Sequence, residues 1–467
     1  MTDKQGIMSQ KQDADQSGAI AQKMKSNDED NNPAKRAVVA VNDEQKLAEI
    51  FKLTIDCFEE VFDYLSLKDL ASIGQTCKRM KRIAGHCFLL NYEPTTAYFH
   101  NGGFNYNRVK IDCFSNLIQN VFFNYEDATN DQTINFITLL KQFTSIKGLE
   151  IADVHLTMAW INEMEAILCE AESLTLVFSD CEENVFDAFV AACPKVKYLS
   201  LAQETNETHW LHKIFPALEH IQLCGFDWDE TPALKTFFEL NTTIKQFSVD
   251  VVLLWSNREL FKNSNIKLDI LAINYDFDDD KIEFDLFCRL LNELYEHGFY
   301  KKLHFYSAYG VNQEVIDQLA SVKGLVEFRS GSSDDCINVG ALSSLEELRV
   351  YESRFVTDLK TLPHMLLKLK RICFYFASSD DILPFICHAT NLNKIKVECI
   401  QSGSHFDEND KILDLIALNK ERKKLVGALK ITIYVGEDVY LATKWATKQT
   451  DFNMIEMKRE SSYAWDV

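Results

Sequence analysis

One pattern recurs along most of this chain: an apolar residue, two variable residues, an apolar residue, one variable residue and a third apolar residue. Clear copies are Leu218-x-x-Ile221-x-Leu223, Leu345-x-x-Leu348-x-Val350, Leu369-x-x-Ile372-x-Phe374 and Leu392-x-x-Ile395-x-Val397. The middle apolar position aligns at Val121, Leu149, Leu174, Leu199, Ile221, Phe247, Leu271, Leu303, Phe328, Leu348, Ile372, Ile395 and Leu429. Most steps are 20 to 28 residues; the exceptions are 32 (271 to 303) and 34 (395 to 429). Alternating apolar and variable residues predict a short strand buried on one face. Helix-like stretches lie between the copies, most clearly at 187–193 and 285–298. One such unit cannot bury its apolar face alone, but stacked units share a continuous core. The expected fold is α/β, a curved solenoid with parallel strands on the concave face and helices on the convex face.

The period is that of leucine-rich repeats. The copies are degenerate, since the ninth position carries Glu204, Asp276, Ser353 or Ala377 in place of Asn or Cys. With 32 Phe but only 16 Gly and 7 Pro, the composition suits long stacked elements. The expected organisation is a disordered polar tail (1–45), a helical segment (46–92), an aromatic junction (93–116), the solenoid (117–435) and a C-terminal cap (436–467).

The helical segment carries the second constraint. In residues 53–84, Phe58, Val61, Phe62 and Leu65 fall on one helical stripe. Ser66 and Asp69 then form a helix-start signature. Leu70, Ile73 and Cys77 continue the apolar face, and Cys77, Met80, Ile83 and Ala84 form a third stripe on a basic helix. Three short helices of this size cannot bury their apolar faces against one another alone, so the segment reads as a docking element. It resembles the F-box: Leu53, Asp56, Phe58, Val61, Phe62, Leu65, Asp69, Leu70 and Cys77 match the family pattern. Thr54 stands where the family has Pro, and Met80 where it has Trp. The resemblance implies a fold of three helices that dock on the adaptor subunit of a cullin–RING ubiquitin ligase, and through it on the cullin scaffold. The residues implied in docking are Leu53, Phe58, Val61, Phe62, Leu65, Leu70, Ile73, Cys77 and Met80. The repeats would then hold a protein substrate, making the chain a non-enzymatic substrate adaptor. The alternative reading is a leucine-rich-repeat interaction scaffold outside any ligase, its N-terminal helices serving only as a cap.

A net charge of −21 disfavours nucleic acid and anionic membranes as main partners. No apolar run reaches membrane-spanning length. The 13 cysteines show no C-x-x-C pair; Cys77, Cys224 and Cys373, on apolar registers, are expected as buried free thiols in a reducing compartment, cytoplasm or nucleus. The Asn-x-Thr triplets at Asn206 and Asn241 are accordingly expected to go unglycosylated. No phosphate loop, metal-ligand spacing or nucleophile motif is present, and no cofactor is expected. Asp276, Asp278 and Asp280 imitate a calcium loop, but Lys281 and Phe287 stand where Gly and Glu are required.

Charge follows the repeat. Lysines such as Lys147, Lys195, Lys245, Lys301, Lys323 and Lys370 precede the strands, and acids follow them, which predicts a basic edge and an acidic edge. Flanking positions that face the concave side are mild early on (Thr175, Ser200, Gln222, Ser248). They become basic and aromatic later. Arg329, Arg349, Tyr351, Arg371, Tyr375 and Lys396 are therefore the substrate-binding candidates; the alternative is that the arginines only pair with Glu327, Glu347 or Glu352 across neighbouring strands. In this register Leu348 is buried, whereas Arg349 faces solvent and is expected to tolerate truncation.

Overall fold

The computed structural model describes residues 53–460 apart from 93–95, 101, 125–135, 142, 144, 154, 179, 182–184, 204–208, 226–231, 276–281, 333–335, 401–411 and 448–451. The expected N-terminal tail, the acidic run at 276–281 and the Asn206 triplet lie outside the described residues. The described residues from Ile55 onwards belong to one compact unit, separate from the segment that ends at Thr54.

This unit opens with three helices, Ile55–Phe62, Leu67–Gly74 and Lys78–Tyr92. Ser66 caps the second by accepting from the Asp69 N–H, as the Ser-x-x-Asp spacing predicts. Strand β1 (Thr96–His100) follows, with the hairpin strands β2 (Gly103–Tyr106) and β3 (Val109–Lys110). Then come β4 (Asn120–Asn124), β5 (Gly148–Ala152), β6 (His155–Leu156), β7 (Ser173–Phe178), β8 (Asp180–Cys181), β9 (Tyr198–Gln203) and β10 (His220–Cys224). The series continues with β11 (Gln246–Asp250), β12 (Leu268–Tyr275), β13 (Tyr300–Tyr309), β14 (Leu325–Ser332), β15 (Glu347–Glu352) and β16 (Arg371–Ala377). It ends with β17 (Lys394–Ile400), β18 (Ile431–Val435) and β19 (Ile455–Arg459).

Apart from β6 and β8, which pair with each other, these strands form one sheet. β1 pairs in parallel with β4, and each following strand of the sheet pairs in parallel with the next, as far as β19. Most steps between strands carry a helix or 3₁₀ turn on the other side. The result is the curved parallel-strand α/β solenoid that the repeats predict.

Every aligned middle position is buried except Leu429, which is 48% exposed. There the register is corrected. Ile433, four residues beyond Leu429, is the residue paired with Ile395; the first apolar position of that copy is taken by Lys430, so the motif is matched instead by Val426-x-x-Leu429-x-Ile431. Two boundaries also move. The expected junction already contains a parallel strand, β1, and the expected cap contributes β19. Between β13 and β14 the register shifts after Leu303, so that Phe305, not Leu303, lies opposite Phe328. At the other end of this strand pair, Gly331 permits a close passage: a Cβ there would sit 1.9 Å from the Ala308 carbonyl oxygen.

The abundant phenylalanines form a spine across repeats. Trp210 contacts Phe237 (5.5 Å between ring centroids), Phe238 contacts Phe247 (5.1 Å), Phe247 contacts Phe261 (5.8 Å) and Phe261 contacts Phe299 (5.4 Å). Each ring leans on rings of the adjoining repeats, so each repeat depends on its neighbours. Asn241 is buried, its amide donating to the carbonyls of Lys213 and Phe237 and its oxygen accepting from the Phe215 N–H. It therefore has no room for a glycan.

Cys373 is buried as expected, Cys224 is partly buried, and Cys77 is exposed. Cys77 precedes the third helix on its solvent side, and Met80 takes the inward position instead.

Candidate functional site

Three places concentrate polar or exposed apolar groups: the N-terminal helices, the late concave face, and the contact between the helices and the last repeat.

On the helices, the candidates separate into two groups. Phe58, Phe62, Leu70 and Met80 face inwards and are buried. The Phe58 and Phe62 rings lie 5.6 Å apart. These residues belong to the shared core of the three helices, and Phe88 of the third helix stacks on Phe114 at 4.7 Å. Val61 is 56% exposed, Cys77 is exposed, and Leu65 and Ile73 are partly covered. Cys57, also exposed, lies one turn before Val61 on the same helical face. Leu53, at the end of the preceding unit, is exposed too. The predicted stripe is therefore shared between core and surface, and Val61 is its outward member. On the third helix, Lys78, Lys81, Arg82 and His86 line a cleft of about 390 Å³ whose floor includes Leu89 and Phe114.

On the late concave face, strand pairing places Glu327 opposite Glu347 and Glu347 opposite Arg371. A second row runs Arg329, Arg349, Cys373, Lys396. The acids are deeply buried and the cations close on them. Arg349 Nε lies 2.6 Å from Glu347 and 3.2 Å from Glu327. Arg371 Nη2 lies 2.5 Å from Glu347. His304 Nδ1 is 3.1 Å from Glu327 and 3.0 Å from the Tyr306 hydroxyl. Burial pushes His304 down to about 4, so it is neutral at pH 7. Burial, and then the neighbouring Glu327 charge, raise the Glu347 carboxyl, against the pull of the two arginines. Lys396 is held by Glu460 (2.8 Å) and Glu398 (3.0 Å). Burial works against its charge, but these two carboxylates raise its pKa overall. Tyr351 and Tyr375 stack, 4.9 Å apart and 7° from parallel. Arg329 is exposed, and no ion pair reaches it among the described residues.

The six sequence candidates thus share a face, but Arg349, Arg371 and Lys396 already have carboxylate partners. Arg349 is not the freely solvated residue the register implies. Its truncation would leave Glu327 and Glu347, opposite one another and buried, with less compensation. Arg349→Ala is expected to cost about 2–4 kcal/mol. An unchanged melting temperature would show that the pair of acids needs no such counter-charge.

The expected basic edge is neutralised in the same way. Lys195 pairs with Glu170, Lys197 with Glu172, Lys245 with Glu219, Lys301 with Asp269, Lys323 with Glu296 and Lys370 with Glu346. These are exposed rungs between adjoining repeats, each of small energetic value.

The third place was not legible in the sequence. Arg459, at the end of β19, is 4% exposed and reaches the N-terminal helices. It donates to the Tyr92 hydroxyl (3.0 Å) and to the carbonyls of Asp63 (2.8 Å) and Leu65 (2.9 Å). Glu437 accepts from the Leu67 N–H (2.5 Å), the first amide of the second helix, and from the Tyr92 hydroxyl (3.2 Å). A carboxylate is well placed at a helix N-terminus. Tyr440 donates to Asp63 (2.9 Å), Lys444 pairs with Asp63, and Trp445 meets Tyr64 edge-on at 5.0 Å. These contacts span 345 to 396 residues of sequence, so no local periodicity announces them. Among the described residues the sheet does not close by strand pairing. Instead the helices touch both of its ends: Phe114 near the start and β19 at the finish.

Among the described residues no group of three His, Cys, Asp or Glu is arranged to hold a metal. No described helix is long and apolar enough to cross a membrane.

Comparison with known families matches the F-box domain to residues 50–91. No curated protein matches the sequence. One solved structure that matches is "Crystal structure of TLR13-ssRNA13 complex", with 9% identity and a TM-score of 0.27, over 73% of this chain and 57% of that one. The chain thus spans little more than half of that chain's length, at a score too low to define a shared fold. The family match covers the three helices that present Val61 and are gripped by Arg459 and Glu437. Residues 50–91 are an F-box domain, carried at the head of a curved parallel-strand solenoid.

Proposed function

We propose that this protein is a substrate-receptor subunit of a cullin–RING ubiquitin ligase. The F-box docks on the ligase adaptor subunit, which links it to the cullin scaffold, and the solenoid holds a protein substrate. The observation that carries this reading is the F-box match at 50–91. The exposed Val61 side chain on the first helix gives docking a physical basis. The contact between the helices and the last repeat supports the receptor role. It joins docking element and solenoid into one body, so a captured substrate would be held at a set distance from the ligase. Proximity of this kind raises effective concentration without bond chemistry by the receptor itself. For substrate contact, the candidates are the exposed Arg329 and the stacked Tyr351 and Tyr375, which carry no ion pair among the described residues. Arg349, Arg371 and Lys396 would act beneath them, holding the late concave face rigid through Glu327, Glu347, Glu398 and Glu460.

Val61→Asp tests docking cleanly, because the side chain is exposed in the free protein and the substitution spares the core. A charge forced into a dry interface costs several kcal/mol, so affinity for the purified adaptor subunit should fall by about a hundredfold or more. Calorimetric titration reads the affinity, and an unchanged melting temperature confirms the fold. Equal affinity of the two proteins would remove the first helix from the interface. Absence of binding by either would favour a scaffold outside any ligase.

A further inference from the structure

The early concave face looks featureless in sequence, yet it contains one carboxylate with no partner among the described residues. The concave positions of β1, β4, β5, β7 and β9 are almost entirely uncharged. The middle row runs Tyr98, Phe122, Glu150, Thr175, Ser200, each residue directly opposite the next. Glu150 is the one carboxylate among these concave positions. It is partly buried. Unlike Glu327, Glu347, Glu398 and Glu460, it has no cation beside it, and no hydrogen bond reaches its carboxylate among the described residues. Burial alone raises its pKa, with no charged neighbour contributing. On one side Phe122 adjoins it, and Tyr98 lies beyond. The two rings are tilted, 5.2 Å apart, and Tyr98 is 51% exposed. On the other side stands the Thr175 hydroxyl.

A desolvated carboxylate is costly unless paired, and an exposed ring face attracts a cation within about 6 Å. Adjacent strands are about 4.8 Å apart, so one cation over Phe122 would be within reach of both Tyr98 and Glu150. We propose that Tyr98, Phe122 and Glu150 form a receptor site for a single basic side chain, lysine or arginine, of the bound substrate segment. This rests on the substrate-receptor reading and deepens it. The site selects a positive residue, which the chain's net charge of −21 also favours over long range. Thr175 would accept a further hydrogen bond from the same head group.

The test uses the full chain and arrayed degenerate peptides in which one central position is fixed as Lys, Arg, Gln or Glu. The wild type should retain the Lys and Arg sets about tenfold better than the Gln set, the preference weakening with salt. Glu150→Gln should abolish that preference. Tyr98→Ala should reduce it. Glu150→Lys should transfer it to the Glu set. A raised carboxyl pKa means that ionised Glu150 opposes folding above its unfolded pKa, an opposition relieved as pH falls. Glu150→Gln should therefore keep or raise the melting temperature at pH 7, which separates lost recognition from lost folding. Adaptor binding should be the same in all variants, so failure of this site and failure of the receptor reading give different results. Equal retention of the Lys, Arg and Gln sets by the wild type would overturn the proposal, as would an unaltered preference in Glu150→Gln.

Discussion

Arg422→Met is expected to lower stability by about 3–5 kcal/mol, among the largest losses of any single substitution outside the apolar core. Arg422 is fully buried in the helix Leu415–Lys424. Its guanidinium donates to five backbone carbonyls, those of Ile386, Ala389, Thr390, Leu392 and Leu429, at 2.8 to 3.2 Å. Ile386 and Ala389 lie at the end of the helix Ser379–His388, where carbonyls lose their helical donors. Leu392 leads into β17, and Leu429 into β18. One side chain thus satisfies the loops of two consecutive repeats. Among the described residues no acid pairs with it, and burial lowers its pKa to about 10, so it remains charged at pH 7. Arg422→Lys should recover little, because an ammonium cannot span the fork of carbonyls. Thermal or urea unfolding checks this. A loss within experimental scatter for Arg422→Met would mean that water replaces the guanidinium at these carbonyls.

The second large effect is local. Arg459→Ala should release the F-box helices from the last repeat while leaving β4 to β17 folded. It would remove hydrogen bonds to Tyr92, Asp63 and Leu65 and a guanidinium seated over the Tyr440 ring at 4.7 Å. A loss of about 3 kcal/mol in this contact should raise hydrogen exchange across residues 55–92 by about two orders of magnitude, with little change in the middle repeats. Uniform acceleration along the chain would show that the helices and the solenoid unfold as one cooperative unit. Unchanged exchange would show that Glu437, Tyr440 and Lys444 suffice to hold the helices. The same contact means that deleting the helices exposes Arg459 and Glu437, so point substitution at Val61 is the cleaner way to disable docking.

The solenoid was legible because its signal is periodic. Strand alternation repeated at similar spacing places twelve middle positions correctly, from Val121 to Ile395. It failed where the period breaks, at Lys430, which moved the register onto Leu429. It also missed β1 and β19, each of which extends the sheet without a full copy of the motif. The F-box helices were legible for the same reason, through the Phe58, Val61, Phe62, Leu65 spacing. The sequence could not separate inward Phe58 and Phe62 from outward Val61, since that depends on what the helices pack against. Charge was the least legible feature. The sequence leaves Arg349 and Arg371 either open for recognition or paired with Glu327, Glu347 or Glu352, and only strand pairing decides for Glu327 and Glu347; Glu460, the partner of Lys396, lies beyond a strand end. Glu150 drew no notice because its interest lies in having no such neighbour. Arg422 and Arg459 belong to no periodic pattern. Their roles follow from contacts between segments that only the fold brings together.

As proposed above, one body joins an F-box that docks on the ligase to a solenoid that holds the substrate. Affinity purification of the full chain from cells, with quantitative mass spectrometry of wild type and Val61→Asp in parallel, tests it most directly. The wild type should retain the adaptor subunit and the cullin. Val61→Asp should lose both while keeping a further set of proteins bound through the repeats. A wild type that retains neither adaptor nor cullin, or a Val61→Asp variant that retains both undiminished, would contradict it.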